Sequence, residues 1–142
     1  MSCATVPGQS KLASFHRQVI GSANRNSYQK GIASEQRAVD FLQAHGHTVL
    51  KRRYRTEFGE IDIISVKDSI VHAIEVKERQ TVREARFAIS INQRSRIAKS
   101  LDVFLQTQCV PFKDVQLDAI FITRNNLCFL ENAWYVEDCA GF

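Results

Sequence analysis

Residues 59–79 read GEIDIISVKDSIVHAIEVKER, and their order restricts the fold more than any other part of the chain. Ile61–Val66 and Ile70–Val76 are both rich in β-branched residues, and Lys-Asp-Ser between them supplies turn chemistry, so the stretch reads as a β-hairpin. Strands of this composition are expected to be buried. Yet they carry Asp62, Glu75 and Lys77.

A turn centred on Asp68-Ser69 sets the register, placing Asp62 opposite Glu75 and Glu60 opposite Lys77. Directly opposed side chains have Cβ atoms only about 4.5–5.5 Å apart, which brings two carboxylates into contact. Glu75 and Lys77 share a face because strands alternate with period two. A slip of one residue would send Asp62 to the other face. Opposed carboxylates repel unless they share a proton or bind a cation. Lys77 is one charge against two or three, whereas Mg²⁺ prefers oxygen ligands and is usually held by one or two carboxylates with water and phosphate. The competing reading is a Glu-Lys and Asp-Arg network on an exposed sheet face.

Upstream, apolar or aromatic side chains at Tyr28, Ile32, Val39 and Leu42 recur at helical spacing, and Gly46 is placed to stop the helix near His45. Glu35 falls within that stripe. It is either a carboxylate on the buried face or a charge that suits the positive end of the helix dipole. After Gly46, an apolar pair fit for a short strand precedes Lys51, Arg52, Arg53 and Arg55 clustered around Tyr54. Such a cluster either lines a phosphate backbone or forms a solvated loop.

Downstream, a second helix is expected from Ser90 to Gln106, with Ile97, Leu101, Phe104 and Leu105 as its apolar stripe and Arg94 intruding. Arg79, Arg83, Arg86, Arg94, Arg96 and Lys99 make the approach to it basic. Strands at 115–123 and 127–130 flank Arg-Asn-Asn, a turn. Asp118 lies inside the first of them and reads as a hydrogen-bonded structural carboxylate. Trp134 and Tyr135 read as packing residues.

The length of 142 residues suits a domain over 28–142 preceded by a basic segment at 1–27. No acidic residue occurs in the first 34 positions. Such a segment is a solvated tail, an arm resting on phosphates or an organelle-targeting sequence, and the tail is the simplest of the three. No apolar run is long enough to cross a bilayer, so no membrane partner is expected. A net charge of +4 hints at a polyanionic partner. Cys3, Cys109, Cys128 and Cys139 form no CxxC pair, and they read as reduced thiols of a cytoplasmic protein.

GEIDII followed by HAIEVKER resembles the motif pair of the YraN-like family, which belongs to the restriction-endonuclease-like PD-(D/E)xK superfamily. GIASEQRAVDFLQAHG, NQRSRIAKSLDVFL, VQLDAIFI and LENAWYVED are similar to its helix, second-helix, late-strand and closing motifs, so the resemblance spans about residues 28–136. It departs at Ser34, at Gln93 where the family often has Lys, and at Gln116-Leu117 where it often has Arg-Phe.

The resemblance implies an α/β restriction-endonuclease-like core: a mixed central β-sheet with a β-hairpin, flanked by helices. It implies that Asp62, Glu75 and the backbone carbonyl of Val76 bind Mg²⁺ or Mn²⁺. Lys77 would hold the attacking water or the developing oxyanion, and Glu35 would complete the acidic site. Nucleic-acid contacts would come from Arg52, Arg53, Arg55, Arg79, Gln93 and Arg96. The expected function is a Mg²⁺-dependent endonuclease hydrolysing phosphodiester bonds in DNA, including branched or structured DNA, and a homodimer would suit duplex cutting. The alternatives are a non-catalytic nucleic-acid-binding module of the same fold and a small interaction protein. Glu60 receives no role.

Overall fold

In a computed structural model of the chain, the structure describes residues 22–81 and 89–134. Much of the N-terminal basic segment, Arg83, Arg86, Tyr135, Cys3 and Cys139 therefore lie outside the described residues. The chain divides into two units between Ile32 and Ala33, and the sheet and the candidate site lie in the second. The elements run α1 (Ser22–Ala44), β1 (Thr48–Arg55), β2 (Glu60–Lys67), β3 (Ile70–Glu78), α2 (Ile91–Thr107), β4 (Asp114–Ile122) and β5 (Leu127–Trp134). This is the mixed α/β core with a hairpin and two helices that the motifs implied.

The five strands form one sheet in the order β1-β2-β3-β4-β5. β3 and β4 are parallel, and the other neighbours are antiparallel. A parallel pair needs a crossover, and α2 lies within the connection between its two strands. The hairpin has the expected register, with Lys67 opposite Ile70 and Ile63 opposite Ile74. Asp68 and Ser69 both have positive φ, 51° and 63°. That is the requirement of a two-residue type I′ turn, whose twist matches that of the flanking strands.

Side chains alternate across β3 and β4 into two layers. Val71, Ala73, Leu117, Ala119 and Phe121 pack with Ile97, Leu101 and Phe104 of α2. Ile74, Ile120 and Ile122 pack with Ala38, Val39 and Leu42 of α1. Each fully buried aliphatic side chain contributes roughly 1.5–3 kcal/mol by removal from water. β2 breaks the alternation: Ile61 joins the α2 layer and Ile63 the α1 layer, although they are two residues apart. The strand therefore turns over at Asp62.

Both helices end on signals legible in the chain. Gly46 at φ 87° closes α1, with its N–H bonded to Gln43 O (3.2 Å) and the His47 N–H to Leu42 O (3.0 Å). Ser90 caps α2 by accepting the Gln93 N–H at 3.2 Å.

Three boundaries differ from the sequence reading. α1 begins at Ser22 rather than Tyr28, because polar residues that permit a helix without an apolar period leave periodicity nothing to detect. β1 runs on through the basic cluster to Arg55, because pairing of Arg52 with Ile63, Tyr54 with Ile61 and Arg55 with Glu60 recruits those residues to an edge strand. β5 likewise reaches Trp134, after a register shift in its pairing with β4.

Candidate functional site

β2 and β3 bring Asp62 and Glu75 together at the end of the hairpin remote from its turn. The described ladder runs to Ile63 and Ile74, and one residue further the Asp62 carboxylate accepts the Val76 N–H through Oδ2 at 2.8 Å. The turn-over of β2 thus exchanges a strand position for a side-chain bond. Asp62 and Glu75 also share a hydrogen bond, and their charges oppose each other.

Burial and Glu75 push the Asp62 carboxyl up to about 8, against an ordinary 3.8. Glu75, 4 % exposed, is raised as well, first by burial, while Lys77 pulls it down. Lys77 Nζ lies 3.0 Å from Glu75 Oε1, and the Gln93 side-chain amide donates to the same oxygen. With two donors on Glu75, the charge of the pair rests there and the proton on Asp62.

Glu35 approaches from α1. It is buried and paired with Arg53, whose Nε lies 2.9 Å from Oε1, and more distantly with Arg52 at 3.8 Å. Burial raises its pKa most, Arg53 opposes that, and the charge of Asp62 adds to it. Arg53 has φ 50°, a left-handed conformation inside a strand. For a bulky side chain this costs on the order of 1–3 kcal/mol. The ladder places Arg53 between pairs that flank Asp62, so both strands are distorted at one level.

An open cleft of about 360 Å³ leads to the acids, lined by Gly59, Glu60, Asp62, Glu75, Ser90, Gln93, Arg96 and Ile97. Among the described residues, no three or more His, Cys, Asp or Glu side chains converge as a closed metal cage. The acidic centre is a pair facing a cleft.

Residues 34–122 match the family described as "Uncharacterised protein family UPF0102". The chain belongs to the UPF0102 family. A UPF0102 protein of Campylobacter hominis is 39% identical over 105 residues, covering 74% of this chain and 93% of that protein. One from Rhodopseudomonas palustris is 33% identical over 100 residues, covering 70% and 77% respectively. One from Campylobacter jejuni is 36% identical over 106 residues, covering 75% and 94%. The matched span of this UPF0102 chain runs from Ser34 to Ile122 and contains every carboxylate of the site.

The six residues expected to contact nucleic acid are placed unevenly. Arg96 and Gln93 line the cleft. Arg52 donates to Gln36 Oε1 at 3.0 Å and, with Arg53, turns toward Glu35. Arg55 pairs with Glu60 at 2.6 Å. Arg79 is exposed just past β3, with its side chain on the Glu78 carbonyl. The basic cluster is thus in part the internal counter-charge of an acidic site, a role its local sequence does not announce. Glu60 acquires a place, lining the cleft and adding negative charge that raises both Asp62 and Glu75. Ser34 is buried and its hydroxyl donates to Glu78, tying α1 to the end of β3. No described helix is long and apolar enough to cross a membrane.

Proposed function

We propose that this UPF0102 chain is a Mg²⁺-dependent nuclease that hydrolyses phosphodiester bonds in DNA, with branched or structured DNA among its substrates. The observation that carries the reading is the pairing of half-buried Asp62 with buried Glu75 in an open cleft, with Lys77 and Gln93 on one Glu75 oxygen. Burial first, and then the neighbouring Glu75, push the Asp62 carboxyl up to about 8, and a hard divalent cation would stabilise the charged form that both disfavour. Two carboxylates with room for water and phosphate suit Mg²⁺, which seldom takes an all-protein cage. Asp62, Glu75 and the Val76 carbonyl would hold it. When bound, the metal would polarise a phosphoryl oxygen and lower the pKa of a bound water.

The chain's own groups supply the remainder. Asp62 gives up its proton to become a ligand, so metal affinity rises with pH. Gln93 orients Glu75 by holding its Oε1. Lys77 neutralises part of that charge and offers a donor to the attacking water or the developing oxyanion. Arg96 at the cleft wall positions phosphates without reading sequence. Glu35, held by Arg53, adds negative charge behind Asp62.

Incubation with linear, nicked and four-way-junction DNA in Mg²⁺, Mn²⁺ or EDTA tests this. Metal-dependent cleavage by the wild type that is lost in Asp62→Ala is the expected result. Salt-sensitive binding without cleavage of any substrate would favour the non-catalytic nucleic-acid-binding module instead.

A further inference from the structure

The turn between β1 and β2 forms part of the mouth of the cleft and carries an exposed aromatic ring, Phe58, at 39 % exposure. A single exposed apolar side chain is ordinary and needs no function. This one is held unusually firmly. The Thr56 N–H bonds to Gly59 O at 2.8 Å, the Phe58 N–H bonds to Thr56 Oγ1 at 3.1 Å, and that same hydroxyl lies 2.7 Å from Oγ of the buried Ser100 on α2. Gly59 at φ 153° adopts a conformation that side chains disfavour, and a Cβ there would meet Arg96 Cβ at 3.3 Å. The turn is therefore seated on α2 and fixes where Phe58 projects.

Two cations accompany the ring. Lys99 Nζ lies 5.8 Å from its centroid, near the outer limit of a cation–π contact, and Arg96 lines the cleft. Spaced three residues apart, they share one side of α2. Exposed Glu57, the preceding residue in the turn, disfavours a phosphate there, so the turn suits contact with a base and leaves the backbone to the cations. A pre-positioned aromatic with neighbouring cations is the chemistry that holds unpaired nucleotides, because every base has a face to stack.

We propose that Phe58 is a stacking platform for an unpaired nucleobase at the cleft mouth, with Arg96 and Lys99 on the adjoining phosphates, so that the site prefers splayed or single-stranded DNA to continuous duplex. The proposal rests on the nucleic-acid reading of the cleft. The full-length chain in EDTA is titrated with a forked DNA carrying 2-aminopurine at its branch point and with the matching duplex. The wild type is expected to bind the fork more tightly and to change the 2-aminopurine fluorescence. Phe58→Ala should lose about tenfold in affinity for the fork, with duplex affinity and the melting curve unchanged, and Phe58→Tyr should restore it. Equal binding of both DNAs by the wild type, or a Phe58→Ala loss that is absent or the same on both, overturns the platform and leaves nucleic-acid binding standing. No binding of either DNA by the wild type overturns both.

Discussion

The sheet carries two aspartates with opposite fates, one fully buried and one half-buried at the cleft. Asp118 in β4 is fully buried, and its two oxygens have one donor each: His72 Nδ1 at 2.6 Å and the Asn132 N–H at 2.8 Å. Around it His47, His72 and Ser65 are buried too, with His47 Nδ1 2.9 Å from Ser65 Oγ and the two imidazoles edge to face at 4.7 Å. Asp62 has one backbone donor and then a second carboxylate, and it borders a cleft. A carboxylate whose acceptor capacity is met inside the protein serves the fold. One left facing another carboxylate beside solvent is held by the rest of the structure against its own preference, and that is the usual signature of a site.

Removing Asp118 gives the largest expected effect. Asp118→Ala leaves the His72 and Asn132 donors buried without an acceptor and should cost about 3–5 kcal/mol, read as a shifted urea midpoint. A loss under about 1 kcal/mol would erase the distinction between the two aspartates. Asp62 should respond with the opposite sign. Burial and the neighbouring Glu75 push its carboxyl up to about 8 in the folded protein, against an ordinary 3.8. Between those values the native state holds a proton that the unfolded chain has released, so stability falls as pH rises across the window. Asp62→Asn has no such proton, and in EDTA at pH 8 it should be more stable than the wild type by on the order of 4 kcal/mol. Equal stabilities at pH 8, measured by denaturant titration, would show that neither burial nor Glu75 disfavours the charged Asp62 carboxylate.

How much of this was legible in the sequence follows from the range of each signal. The hairpin, its turn and the juxtaposition of Asp62 with Glu75 were readable, because register is fixed locally by Asp68-Ser69 and period-two alternation carries it along both strands. α2 was placed to within a residue by its stripe, and the Ser90 cap that fixes its start went unread. Asp118 was identified as a structural carboxylate, but not its partners, since His72 lies 46 positions away and nothing in the local sequence pairs them. The Arg53–Glu35 bridge was illegible for the same reason, and the left-handed Arg53 even more so: a strand that turns over at one residue obeys the packing of two layers rather than its own propensity. The start of α1 was missed because Ser22–Ser27 carry no apolar period in the sequence.

The histidines sharpen the contrast from the acid side. Burial and the neighbouring His72 lower His47 to about 4, below the ordinary 6.5. The unfolded chain takes up its proton first as pH falls, so this contribution is complete above about 6.5 and lost as pH drops toward 4, by up to about 3 kcal/mol. His47→Gln should flatten that limb of the stability–pH curve while leaving the alkaline limb intact, and Asp62→Asn should do the reverse. A single substitution that flattens both limbs would mean that the two clusters are coupled through β2 and β3.

The smallest expected effect decides what the open cluster is for. At pH 8 Mg²⁺ competes with the Asp62 proton, and a ligand present at ten times its Kd stabilises the native state by about 1.4 kcal/mol. For a chain of this size that is a melting shift of a few degrees. The shift should shrink at pH 6, where Asp62 keeps its proton, and vanish in Asp62→Ala and Glu75→Ala. His47→Gln, in the closed cluster, should keep it in full. A Mg²⁺ shift that survives in Asp62→Ala would place the ion elsewhere. The raised carboxyl would then be only a cost of packing two acids at a strand crossover, and the difference between the two aspartates would concern folding alone.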